Sequence, residues 1–240
     1  MVTPFNFQDI SKPSSQFLRG QRWFAELEPE IQQRIADRVF TIQGSKGDVM
    51  LRSGEPVEGW YAVLSGLVKL QTQFSRGRRQ GYLGIPGGEW FGEGSVMKDE
   101  PRRYEVVALR DSELLCVPRA EFAELRATSL KFNQAIADML NMRLGQAMLI
   151  IETFRLRTPE QRVAMYLSRV LWHGPRKLSL SQEELGILVG LSRQSINQVL
   201  RTLEQQGLVS LDFGRVSILN EQGLMELAMK VDPHPPDEAD

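Results

Sequence analysis

Glycine is spread so unevenly along this chain that its distribution alone restricts the fold. Of the 20 glycines, twelve fall between Gly44 and Gly94. Between them lie short apolar runs, at 60–64 and 67–71, and the pattern resumes at 104–108 and 113–117. Short β-type runs bounded by glycine about every eight to twelve residues predict an antiparallel sandwich, barrel or roll.

The next stretch has the opposite punctuation. From Pro118 to Pro159 there is no intervening proline, and Gly145 is the one glycine. Ile136, Leu140, Leu144, Ala147, Ile151 and Phe154 recur three or four residues apart, which keeps them on one helical face. The spacing predicts a helix over 129–156, roughly 40 Å long at 1.5 Å per residue. One small roll does not cover that length. A helix buried in its own domain and a coiled-coil-like dimer seam both fit, and the length favours the seam.

After Thr158-Pro159 the pattern shortens to helices over 160–172, 182–189 and 193–206. Ser181-Gln182-Glu183-Glu184 is a capping box, and Gly190 breaks the helix that it opens. Ser192 can cap the following helix, and Gly207 can close it. Two short helices joined by a glycine-containing turn are a helix-turn-helix. The second exposes Arg193, Gln194, Ser195, Asn197, Gln198 and Arg201, with no acidic residue before Glu204. Arg suits guanine, Gln or Asn suits adenine, and Ser and Arg suit phosphate. A merely solvated face would be expected to mix both charge signs. Residues 208–218 then read as a hairpin wing with Arg215 at its tip; Ser181, Gln182 and Ser192 complete the expected DNA-facing set.

Net charge is −1, which decides nothing, because a local basic face can sit within a neutral whole. A single cysteine, Cys116, excludes an internal disulfide framework and fits a buried core thiol in a reducing compartment. There is no basic, apolar leader and no uninterrupted apolar run long enough for a membrane helix, so a cytoplasmic protein without a membrane partner is expected. No P-loop, nucleophile elbow or metal-ligand spacing occurs, so no catalytic and no metal site is expected.

At this point the chain resembles the cyclic-AMP receptor protein and fumarate–nitrate regulator superfamily, over roughly 23–227. The resemblance rests on Gly47-Asp48-Val49, Ser53-Gly54-Glu55, residues 61–68, Trp90-Phe91-Gly92-Glu93, Pro101-Arg102-Arg103 and residues 189–195, in that order and spacing. It implies an α+β chain: a cyclic-nucleotide-binding-like β-roll (jelly roll), a dimerisation helix and a winged helix-turn-helix. The expected boundaries are a flexible arm over 1–20, the sensor over 21–127, the dimerisation helix over 128–157, the DNA-binding domain over 158–230, and a disordered acidic tail over 231–240.

The resemblance also implies an effector site. In members that bind cyclic AMP, a Gly-Glu pair and an Arg-Ser pair hold ribose and phosphate. Gly92, Glu93 and Arg102 match, with Gly94 and Ser95 following; Arg103 replaces the Ser and Tyr104 the small residue after it. Where such members offer Thr-Ser to adenine, this chain has Ala147-Met148, which give a purine amine no hydrogen bond. Arg102 and Arg103 either hold a more anionic ligand or pair internally with Glu93 and Glu105. Haem sensing is disfavoured, since His173 and His234 lie outside the roll. The cluster Arg76, Arg78 and Arg79 is expected at a solvated hairpin tip, and Arg157-Thr158-Pro159 as the hinge.

No cofactor is required by these residues. The expected effector is a cyclic nucleotide, a cyclic dinucleotide or a small organic anion rather than cyclic AMP itself. The expected partners are double-stranded DNA, a second copy of the chain and RNA polymerase. A regulator that needs no effector and a nucleotide-sensing subunit that binds no DNA remain as alternatives; the polar helix and wing would be idle in the latter.

Overall fold

In a computed structural model, residues 12–73, 79–156, 158–168, 180–212 and 214–230 are described. The chain divides into two compact units, Met1–Met139 and Leu140–Asp240.

The first unit begins with helices α1 (Lys12–Arg19), α2 (Arg22–Ala25) and α3 (Pro29–Arg38). Strands β1 (Phe40–Gly44), β2 (Val49–Leu51), β3 (Gly59–Ser65), β4 (Leu67–Gln73), β5 (Arg79–Pro86) and β6 (Trp90–Phe91) follow. Then come helix α4 (Glu93–Lys98), strands β7 (Glu105–Ala108) and β8 (Ser112–Pro118), helix α5 (Arg119–Thr128), and the start of α6 (Leu130–Leu156). The strands form two antiparallel sheets, ordered β1-β8-β3-β6 and β2-β7-β4-β5. This is the all-β roll expected from the glycine-punctuated runs.

Its core is aromatic. Trp60 on β3 stacks on Trp90 of β6 with centroids 3.9 Å apart, and Trp23 of α2 lies 5.3 Å from both Trp60 and Phe132 of α6. Such tilted and offset pairs add to simple area burial. They bind the N-terminal helices and the first turns of α6 to the sheet. Arg34 of α3 donates to Glu121 and Glu124 of α5 at 2.9 and 2.6 Å, and Arg38 also pairs with the buried Glu121 carboxylate.

The expectation of a flexible arm over 1–20 needs correction. Residues 12–19 form a helix, in which Leu18 is buried and Phe17 packs 5.7 Å from Trp90. Adjacent apolar residues on a short helix are enough to dock it on an aromatic core. Residues 1–11 lie outside the described residues, as do the tail 231–240, Arg157, Arg76, Arg78, His173 and His234.

The second unit holds the remainder of α6, then α7 (Pro159–Leu167), α8 (Gln182–Val189), α9 (Arg193–Gln205), β9 (Val209–Asp212), β10 (Arg215–Ile218) and α10 (Glu221–Met229). α7 starts as the sequence dictates: Thr158 and Gln161 form a capping box, and Pro159 occupies the first turn, where a missing N–H costs nothing. It ends at Leu167, and the expected extension towards Trp172 lies outside the described residues. α10 was not foreseen; Asn220 caps it, and α7 packs along it.

Candidate nucleic-acid interface and effector site

The helix-turn-helix is built by its caps. The Ser181 hydroxyl accepts the Glu184 amide at 3.2 Å, while the Glu184 carboxylate takes the Ser181 amide at 2.8 Å. Gly190 ends α8 at φ 73°, a left-handed conformation that disfavours any residue with a Cβ. Ser192 then accepts the Ser195 amide at 3.1 Å and opens α9. Leu185, Val189, Ile196, Val199, Leu200 and Leu203 are buried between the elements.

This leaves one face of α9 outward. Arg193, Gln194, Gln198 and Arg201 are exposed, and Ser195 and Asn197 are half-buried beside them. The wing is the antiparallel pair β9–β10, in which Asp212 faces Arg215. Its tip is tied back to α8: the Gln182 amide donates to the Gly214 carbonyl at 3.0 Å, and Ser181 forms a bridge with Arg215. Between them lies a groove of about 630 Å³, lined by Gln182, Glu183, Ile187, Arg193, Asn197 and Gly214. Thus the structure gathers Ser181, Gln182, Arg193, Asn197 and the wing at one place. Arg193, Arg201 and Arg215 make no ion pair among the described residues, whereas Arg34, Arg38, Arg103 and Arg119 of the sensor unit all do.

In the roll, Gly92 precedes α4 at φ 91°, and Glu93, Gly94 and Ser95 form its first turn. Arg102 is 5% exposed. Its Nη2 donates to the Tyr61 hydroxyl at 3.3 Å, and its guanidinium carbon lies 5.1 Å from the Tyr61 ring centroid. Its Nη1 is buried with no hydrogen-bond partner among the described residues. Tyr104 stands near: a Cβ built on Gly92 would come 4.0 Å from its hydroxyl and 3.5 Å from the Tyr61 ring.

The pairing of Arg102 and Arg103 with Glu93 and Glu105 is not found. Arg103 points outward and pairs with Glu100 at 2.5 Å. Glu105 accepts from Gln71 at 2.9 Å instead, because the two are register partners on β7 and β4. Arg102 is held by an aromatic phenol that the sequence reading passed over, since Tyr61 sits in an apolar strand run and reads there as core. Cys116, opposite Tyr61 in the β3–β8 register, is fully buried as expected, and burial pushes its thiol upward.

On α6, Leu144, Met148 and Ile151 are 60%, 64% and 59% exposed within one copy, with Ala147 exposed and Leu140 half-buried among them. Ile136 differs from the other residues of the expected dimer seam. It is 1% exposed and belongs to the chain's own sensor core, because its turn of the helix still lies under the roll. The Phe154 side chain lies outside the described residues. No described helix is long and apolar enough to cross a membrane.

The chain thus combines a β-roll with a buried arginine after α4, a long helix and a capped winged helix-turn-helix. The family comparisons agree: residues 42–129 match the cyclic nucleotide-binding domain, and residues 161–227 match the Crp-like helix-turn-helix domain. The cyclic AMP receptor protein of Thermus thermophilus is 29% identical over 184 residues, covering 76% of this chain and 85% of the relative. The fumarate and nitrate reduction regulatory protein of Vibrio cholerae is 25% identical over 215 residues, covering 85% of each. The solved structure of FixK2 from Bradyrhizobium japonicum shares the fold with a TM-score of 0.68 at 22% identity, covering 81% of this chain and 99% of that one. The chain belongs to the CRP/FNR family of transcription regulators.

Proposed function

We propose that the chain acts as a homodimer that reads a palindromic DNA site through α9 and the wing, under the control of a small anionic effector held in the roll. The observation that carries the DNA reading is the outward face of α9 and the wing tip. The guanidinium groups of Arg193, Arg201 and Arg215 stand there without an ion pair among the described residues, and α9 carries no acid until its last turn. Unpaired guanidinium groups beside Gln194, Asn197 and Gln198 supply both phosphate contacts and base-edge donors.

Dimerisation is supported by the exposed stripe Leu144, Met148 and Ile151, which a second α6 would cover. Pairing two copies about a two-fold axis would present two recognition helices to major grooves one helical turn apart. A binding-site selection from random duplexes should therefore return an inverted repeat; a unique, asymmetric motif would refute the dimeric reading. Gln194 and Gln198 favour adenine contacts beside an Arg193–guanine contact. RNA polymerase is the partner through which a bound regulator of this type would act on transcription.

The effector reading rests on Arg102, a buried cation with a donor left unused. Such a donor is costly unless an acceptor arrives. Ala147 and Met148 offer adenine nothing, so a ligand other than cyclic AMP is preferred: another cyclic nucleotide, a cyclic dinucleotide or a small organic anion. A calorimetric titration with cyclic AMP up to millimolar concentration should give no heat, and tight binding would overturn that preference. Arg103, committed to Glu100, also leaves room for a second reading, in which the roll takes no effector and protein abundance sets activity.

A further inference from the structure

Glu204 is the one acidic residue of α9, and nothing in the reading of DNA accounts for it. A carboxylate in the last turn opposes the helix dipole and would repel a nearby polyanion. Its partner is in the wing: Glu204 Oε1 accepts the backbone N–H of Leu211 on β9 at 2.9 Å. Leu211 pairs with Val216 on the other strand of a two-stranded ribbon. Such a ribbon is marginal alone, and its free edge carries N–H groups that need acceptors. The ribbon is thus held at both ends, at the tip by Gln182 and Ser181 of α8, and along β9 by Glu204 of α9.

We propose that Glu204 is a positioning residue: its carboxylate fixes the wing against the recognition helix and so sets where Arg215 stands relative to Arg193. The inference rests on the DNA reading above. The base of the ribbon is held separately, by the Leu208 amide on the Leu203 carbonyl and by the buried Val209 and Val216. Without Glu204 the middle of β9 loses its tie to α9, and Arg215 meets its phosphate from a wider range of positions.

The test uses the full chain, fluorescence anisotropy with a labelled pool of random-sequence duplexes across a salt series, and amide hydrogen exchange. Glu204→Ala should weaken binding several-fold and lower the salt slope by about one per wing, as Arg215→Ala does. The double variant should lose nothing more than either single variant. Glu204→Gln keeps an acceptor oxygen and removes the charge, so it should bind like the native chain. Exchange at Leu211 should quicken in Glu204→Ala and stay slow in Glu204→Gln.

Tighter binding by both variants would show that the carboxylate merely repels DNA, and would overturn the proposal. Additive losses in the double variant, or unchanged exchange at Leu211, would also overturn it. If the native chain and Arg193→Ala fail alike to bind any duplex, the DNA reading falls and takes the positioning role with it. The exchange result still decides, without DNA, whether Glu204 anchors the wing.

Discussion

The guanidinium of Arg102 rests on the ring of Tyr61, 5.1 Å from its centroid, and donates to its hydroxyl at 3.3 Å. Tyr61 is itself stacked on Phe91, 5.7 Å away, and Phe91 immediately precedes Gly92. The aromatic pair therefore forms a floor under the cation, while the Nη1 group of the guanidinium has no acceptor among the described residues.

From this floor follows the expectation that Arg102 carries the energy of any anion bound there. A ligand that binds only the folded chain raises stability by about 2.7 kcal/mol at a hundred times its dissociation constant. Thermal melts with cyclic AMP and with a cyclic dinucleotide will find any such gain. Arg102→Leu should abolish it while the variant stays folded, since the substitution also removes a buried, half-satisfied cation. A gain that survives Arg102→Leu would place the ligand elsewhere.

The two ends of α6 should respond oppositely to substitution. Ile136 is part of the roll's core, so Ile136→Ala should cost about 2–5 kcal/mol in denaturant unfolding. Leu144 and Ile151 are exposed in one copy, so Leu144→Glu or Ile151→Glu should leave each copy folded. If α6 pairs as proposed, sedimentation should show dimers for the native chain and monomers for these variants. A dimer that tolerates both charges would move the interface off this face.

Much of this architecture was legible because the signals are local. Ser181, Glu184, Gly190 and Ser192 specify their caps within a few residues, and α8 begins and ends where they predict. The periodicity of α6 was equally plain, although periodicity does not say which turns a neighbouring domain claims, and Ile136 was taken by the roll. The partners of Arg102, Arg103 and Glu204 were not legible. Each depends on strand register or on a contact across a turn: Tyr61 lies 41 positions from Arg102, and Leu211 seven from Glu204. Two neighbouring arginines look alike in sequence, yet one is buried on a phenol and the other lies on the surface beside Glu100.

Arg193 opens α9 exposed and without a side-chain partner among the described residues, so its removal should cost the fold little. Arg193→Ala should remain dimeric, with unchanged circular dichroism and melting, and lose about 1–3 kcal/mol of specific binding to the selected site. The loss should be largest for sequences that carry guanine at the contacted position and small for random duplex. An equal loss for both would assign Arg193 to phosphate rather than to a base edge.

Alkaline pH should unsettle the C-terminal unit through Tyr166. Burial pushes this phenol from 10.0 up to about 12. Between those values the unfolded chain has released the proton and the folded chain retains it. The folded state then binds more protons, so stability falls as pH rises, by up to about 1.4 kcal/mol per pH unit. Below pH 10 the effect is absent. Tyr166→Phe removes the titration, although burial also pushes the Tyr61 phenol and the Cys116 thiol upward in the sensor unit, and these would remain. Urea unfolding of the native chain and of Tyr166→Phe, compared at about pH 8 and pH 11, should therefore show a smaller alkaline loss in the variant. Equal losses would mean that the Tyr166 phenol, 1% exposed, ionises in the folded chain as readily as in the unfolded one, and would overturn the prediction.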